Sequence, residues 1–136
     1  MPKKYKDVRS ALLDAGWRVL RQAGSHEVWA HPSRDVRIVV AGKDRDTVPV
    51  GTLGSIRAGK RTGASSMSDY VVIYEQAEDG AWGAYLPDLP GVVALGATRA
   101  EVGERIEEAL AAYAADLRQR GASLPMPHHS AGVVAA

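Results

Sequence analysis

A run of small and polar residues, Thr62-Gly-Ala-Ser-Ser-Met-Ser68, stands near the middle of this 136-residue chain and carries no apolar periodicity. Such a run adds nothing to a core. It limits the chain to two stretches of about 60 residues, each near the lower size at which a domain folds alone. The charge changes sign at the same place. Residues 1–66 hold 13 Lys and Arg against 6 Asp and Glu, whereas residues 67–136 hold 4 against 10. A basic surplus on a small module suits a polyanion such as nucleic acid, and an acidic neighbour of matching size suits a cover for that surface. We therefore expect domains at 1–63 and 69–127, a linker at 64–68 and a flexible tail at 128–136.

Several function classes drop out early. The chain has no Cys, which removes disulfides, thiolate nucleophiles and Cys-based zinc sites together. No apolar run approaches the roughly 18 to 20 residues that span a bilayer, and Met1-Pro-Lys-Lys4 leads into a charged helix instead of a signal peptide. The expected compartment is the cytoplasm, with no membrane partner and no cofactor.

Tyr5, Val8, Leu12 and Ala15 fall at helical spacing with Gly16 behind them as a cap, predicting a helix over about residues 4–15. Trp17–Gln22, His26–His31 and Val36–Val40 read as three strands separated by Ala23-Gly24-Ser25 and Pro32-Ser-Arg-Asp35. After Pro49, Leu53 and Ile56 predict a short helix ending near Gly59 or Gly63. The order α-β-β-β-α implies an antiparallel sheet with both helices on one face, the arrangement of double-stranded-RNA-binding domains. Trp17 and Trp29 read as core residues in preference to base-stacking platforms.

Beyond the linker, Tyr70–Tyr74 and Ala81–Leu86 predict a hairpin through Glu78-Asp-Gly80, and Val92–Leu95 a third strand. Thr98 with Glu101 matches a capping box, and Val102, Ile106, Ala109, Leu110, Tyr113 and Leu117 form an apolar stripe running toward Gly121. The fold class is thus α+β throughout. Glu75, Asp79, Asp88 and Glu101 lie at a strand end, in turns and at a helix cap, and read as solvated or capping, not as a metal-binding carboxylate cluster.

These residues resemble two protein families joined in one chain. Ala15-Gly16-Trp17, Arg21-Gln-Ala-Gly-Ser-His26 and Pro49-Val-Gly-Thr-Leu53 with Ile56 resemble HicA toxins of bacterial toxin-antitoxin systems. Gly80-Ala-Trp-Gly-Ala-Tyr-Leu-Pro-Asp-Leu-Pro-Gly91, the Thr98–Glu101 cap and Leu124-Pro-Met-Pro127 resemble HicB antitoxins. The second resemblance implies a partial RNase H-like β-β-β-α fold. The first implies a metal-independent endoribonuclease acting on mRNA, with His26 as its catalytic residue. Gly24 and Ser25 would let backbone approach a phosphate, and Lys3, Lys4, Lys6, Arg57, Lys60 and Arg61 would contact the RNA. Where many HicA sequences carry a further His, this one has Val40-Ala41-Gly42-Lys43. Many HicB antitoxins continue into a DNA-binding domain, which this chain is too short to include, so operator DNA is not an expected partner.

His31 lies an odd number of residues from His26 and should face the other side of its sheet. His128-His129 falls in the tail and reads as unengaged. The leading expectation is a self-neutralised fusion, the second module masking His26 in cis or by exchange between two chains, the latter giving a homo-oligomer. The alternatives are a non-catalytic RNA-binding or regulatory module and a purely structural pair of domains.

Overall fold

A computed structural model describes residues 3–58 and 70–136; the expected linker, Lys60, Arg61 and the end of the second helix lie outside them. The chain runs β1 (Lys3–Lys4), α1 (Tyr5–Asp14), β2 (Arg18–Ala23), β3 (His26–His31), β4 (Arg34–Ala41), β5 (Thr47–Val48), α2 (Val50–Ala58), β6 (Ile73–Gln76), β7 (Trp82–Tyr85), β8 (Val92–Gly96) and α3 (Arg99–Gln119). The class is α+β, as expected. Two short strands, β1 and β5, were not expected; they pair only with each other. Strand β6 begins at Ile73 instead of Tyr70, because the Tyr70 hydroxyl is turned to the Pro125 carbonyl near the other end of the module.

The two halves do not form separate sheets. A single six-stranded sheet has the order β2-β3-β4-β8-β7-β6. Its central seam is parallel, Val39, Val40 and Ala41 of β4 pairing with Val92, Val93 and Ala94 of β8, while the flanking pairs are antiparallel. The seam segments Ile38–Ala41 of β4 and Val92–Leu95 of β8 are runs of apolar residues without alternation, the pattern of strands covered on both faces.

Helices α1 and α2 pack on one face and α3 on the other, and each half contributes to both cores. Tyr5, Leu12, Trp29, Ile38 and Val40 pack with Val93 and Leu95 on the α1–α2 face. Val28, Val39 and Ala41 pack with Leu86, Val92, Ile106, Ala109 and Tyr113 on the α3 face. The halves also approach closely at Gly83, where an added Cβ would lie 2.7 Å from Pro49 Cδ and Thr52 Oγ1. Helix α3 begins as its sequence predicts: Thr98 Oγ1 accepts from Glu101 N at 3.1 Å. The Glu101 carboxylate reaches one residue further back than a standard box, accepting from Ala97 N at 2.8 Å.

Candidate functional site

Strand β3 sorts its side chains by alternation. Glu27, Trp29 and His31 face α1. The Tyr5 hydroxyl donates to Glu27 Oε1 at 2.6 Å and accepts from Trp29 Nε1 at 3.0 Å, and Arg9 Nη2 donates to Glu27 Oε2 at 3.0 Å. Burial, then the bond to Glu27, pushes the Tyr5 hydroxyl well above its ordinary pKa. His31 is similarly committed: its Nδ1 accepts from Ser33 N at 3.0 Å, which leaves Nε2 to donate to the Ala15 carbonyl at 3.0 Å. It is a structural residue, on the face opposite His26 as the alternation requires.

His26 and Val28 face α3. His26 is half-buried, and its Nδ1 is enclosed without a hydrogen-bond partner among the described residues. The turn before it needs Gly24 at φ 57, a conformation other residues seldom adopt, although a Cβ there would meet nothing. Ser25 follows, its hydroxyl donating to Glu108 Oε2 of α3 at 3.3 Å. Register brings two cations to the same face: Arg21 lies opposite Val28, and Arg37 opposite Ala30. Both are held by Asp116 of α3, a carboxylate with only 2% of its side chain exposed. Arg21 Nη2 donates to Asp116 Oδ1 at 2.5 Å. Arg37 Nε stands 3.2 Å from Oδ2, close enough for an ion pair though not aligned for a hydrogen bond. Arg120, one turn along α3, adds a third guanidinium at 2.9 Å.

Of the residues singled out in the sequence, Gly24 and Ser25 adjoin His26, whereas the described lysines and Arg57 belong with α1 and α2. Lys3 and Arg57 border a cleft of about 190 Å³ floored by Val8, Leu12, Trp17, Ile38 and Ile56. Lys6 is exposed on α1. Lys4 Nζ donates to Thr47 Oγ1 at 2.9 Å and pairs with Asp79 at 3.5 Å. Arg21, Arg37 and Asp116 were missed. Asp116 had a readable signal, since it lies three residues after Tyr113 and seven after Ala109, a charge on the apolar stripe.

The carboxylates read as solvated or capping do more than that. Glu75 Oε1 accepts from Thr52 N at 2.5 Å, tying the start of α2 to β6. Asp79 accepts from Thr47 Oγ1 at 2.5 Å, which with the Ala81 amide lowers its pKa. Asp88 is buried and accepts from His128 N at 2.9 Å and His129 N at 3.2 Å, so the expected flexible tail is held at its first two residues. Among the described residues, no three His, Asp or Glu side chains gather as metal ligands, and no helix is long and apolar enough to cross a membrane.

Residues 5–63 match the family model of the HicA toxin of bacterial toxin-antitoxin systems, and residues 70–136 match that of the HicB-like antitoxin. This chain is a HicA–HicB toxin-antitoxin module. Among curated proteins and solved structures, none matches the chain significantly. The seam between β4 and β8 is therefore the junction of the HicA and HicB-like halves, and α3, the helix over His26, belongs to the HicB-like half.

Proposed function

We propose that the HicA half is a latent ribonuclease and that the HicB-like half holds it silent within the same chain. The observation that carries this reading is that His26 lies on the sheet face covered by α3, the same face as two arginines whose charge Asp116 takes up. The α-β-β-β-α order is read as double-stranded-RNA-binding-like, and the β-β-β-α order as a partial RNase H-like cover. RNA supplies its own nucleophile. His26 would take the 2′-hydroxyl proton, the resulting oxygen would attack phosphorus, and the bond to the 5′ oxygen would break as that oxygen takes a proton from solvent water. Arginines on the same face would hold the RNA backbone that leads to the reacting phosphate. A half-buried imidazole whose Nδ1 has no partner among the described residues supports a role toward something outside them.

The reading is tested on the full chain with chelator present. The parent should cleave single-stranded RNA little or not at all. Asp116→Lys, which sets a cation against Arg21 and Arg37 and so loosens α3, should cleave it, and adding His26→Ala should remove that activity while leaving RNA binding nearly intact. Equal cleavage with and without His26 would sink the enzyme reading. A second reading, a silent RNA-binding or regulatory chain, draws on the continuous β4–β8 seam, which resists separation of the halves. It takes over if the loosened chain binds RNA and never cuts it.

A further inference from the structure

The polar contacts beneath α3 lie along a line that follows β3. Ser25 and His26 stand at one end, Arg21 is level with Val28, and Arg37 is level with Ala30. At about 3.3 Å per residue, the backbone levels of Arg21 and Arg37 are about 7 and 13 Å along the strand from His26. Arg21 stands on β2 and Arg37 on β4, on either side of β3, and their side chains converge on the single carboxylate of Asp116. Helix α3 lays carboxylates on the same line with matching spacing. Glu108 meets Ser25 at 3.3 Å and Asp116 meets Arg21 at 2.5 Å and Arg37 at 3.2 Å. Those two residues are eight apart, about 12 Å along a helix axis.

A partner built only to stabilise the sheet would not need a buried carboxylate here. Asp116 sits among apolar stripe residues, where a side chain such as Leu would avoid the desolvation that an ion pair must overcome. Its position makes sense if the arginines are fixed by another requirement and α3 must accommodate them. We propose that Arg21 and Arg37 form a phosphate track for one strand of RNA running along β3 to His26, and that α3 fills this track in the closed chain, with Asp116 standing where a phosphate binds and Glu108 covering Ser25. The track deepens the ribonuclease reading above and rests on it for the identity of the reacting end. The two guanidinium groups converge on a site the size of one carboxylate, which fits one backbone and not the two of a duplex. Arg21 and Arg37 are positioning residues, since they hold the strand while His26 faces the reacting phosphate.

The test uses the full chain and a 2′-O-methyl RNA, single-stranded and unable to be cut, so that binding is read apart from cleavage. Asp116→Ser should raise affinity at least tenfold over the parent. Adding Arg21→Gln and Arg37→Gln should reverse that gain and lower the slope of log affinity against log salt by about 0.7, the share of the one phosphate that both arginines hold. Arg21→Lys with Arg37→Lys should retain the slope, a result that lost packing alone would not produce. If Asp116→Ser fails to fold by circular dichroism, the isosteric Asp116→Asn carries the same comparison. No gain in a folded Asp116 variant overturns the track, as does an affinity and salt slope indifferent to both arginines. Tighter binding of a duplex overturns the single-strand assignment. Binding through Arg21 and Arg37 without cleavage of ordinary RNA would uphold the track and defeat the ribonuclease reading. His26-dependent cleavage with no role for either arginine would do the reverse.

Discussion

Beneath α1, the buried polar groups of β3 are satisfied from within the HicA half: Glu27, 4% exposed, finds Tyr5 and Arg9, and Trp29 finds Tyr5. Beneath α3, Ser25, Arg21 and Arg37 of the same half meet their partners across the junction, in Glu108 and Asp116. The cluster beneath α1 is completed by folding of the HicA half, and the one beneath α3 only by docking. A surface whose charges are neutralised by a separate element is one that can serve something else when that element leaves, and this is why the functional reading settles on α3. The apolar parts behave differently, because Val93 and Leu95 of the HicB-like half reach the α1–α2 face as well. Polar contacts beside α2 cross the junction too, Thr52 and Thr47 bonding to Glu75 and Asp79, whereas the cluster around Glu27 is closed within its half.

The sharpest way to break this comparison is at the seam. Val93 is fully buried and pairs with Val40, so Val93→Asp puts a carboxylate among apolar side chains with no donor, at a cost of several kcal/mol, comparable to the whole stability of a small domain. We expect no cooperative thermal transition, while Val50→Asp, at a residue 86% exposed, should melt as the parent does. A Val93→Asp chain that keeps near-ultraviolet signals from Trp17 and Trp29 would mean that the α1–α2 core of the HicA half holds without the seam.

The next effect should come from Asp116→Ala. Removing one partner of a buried pair costs about 3 to 5 kcal/mol, and because the Arg21 side chain is 44% exposed and can be rehydrated we expect the low end of that range. Denaturant unfolding measures it. A loss no larger than that of Ala111→Gly on the exposed side of α3, about 1 kcal/mol, would show that the ionic contacts contribute little to docking.

Tyr5→Phe tests the cluster that the HicA half satisfies internally. It leaves Glu27 one donor short and Trp29 Nε1 without its acceptor, at about 1 to 3 kcal/mol. Sign and window follow from the raised pKa of Tyr5. The folded chain holds the hydroxyl protonated above its ordinary value near 10, so this contribution is complete below pH 10 and is lost as the pH rises beyond it. Stability profiles taken upward from about pH 8 should therefore fall less steeply for Tyr5→Phe than for the parent.

Local features were legible in the sequence. Strand β3 runs from His26 to His31 as alternation predicted, α3 follows from its cap and stripe, and Pro49 marks the entry to α2. The joining of β4 to β8 was not legible as a pairing, because register between strands about 50 residues apart depends on packing that no local pattern encodes. Its trace was present: Ile38-Val39-Val40-Ala41 and Val92-Val93-Ala94-Leu95 lack the polar alternation that a strand with a solvated face would show. The site was half legible for the same reason. His26, Gly24 and Ser25 are contiguous, whereas Arg21 and Arg37 join them only through cross-strand register, and Asp116 only through the docking of α3.

The smallest expected effect concerns the end of the chain, where one carboxylate holds the segment that follows α3. Burial raises the pKa of Asp88, and the His129 ring at 2.8 Å together with the amides of His128 and His129 outweighs it, so the net shift is downward. A carboxylate with a lowered folded pKa adds stability that is complete above the usual carboxylate range and is lost as the pH falls through the lowered value. The strap should therefore hold at neutral pH and release only below about pH 4, the ordinary range for Asp. Amide proton shifts of His128 and His129 followed by NMR downward from about pH 6 should move together through that release, and Asp88→Asn, a weaker acceptor, should show the released shifts at every pH. Because α3 and its contacts with Arg21 and Arg37 lie upstream of this strap, RNA binding should not change with Asp88→Asn. A change would mean that the tail helps to hold α3 over the track, which would extend the docked face beyond Asp116.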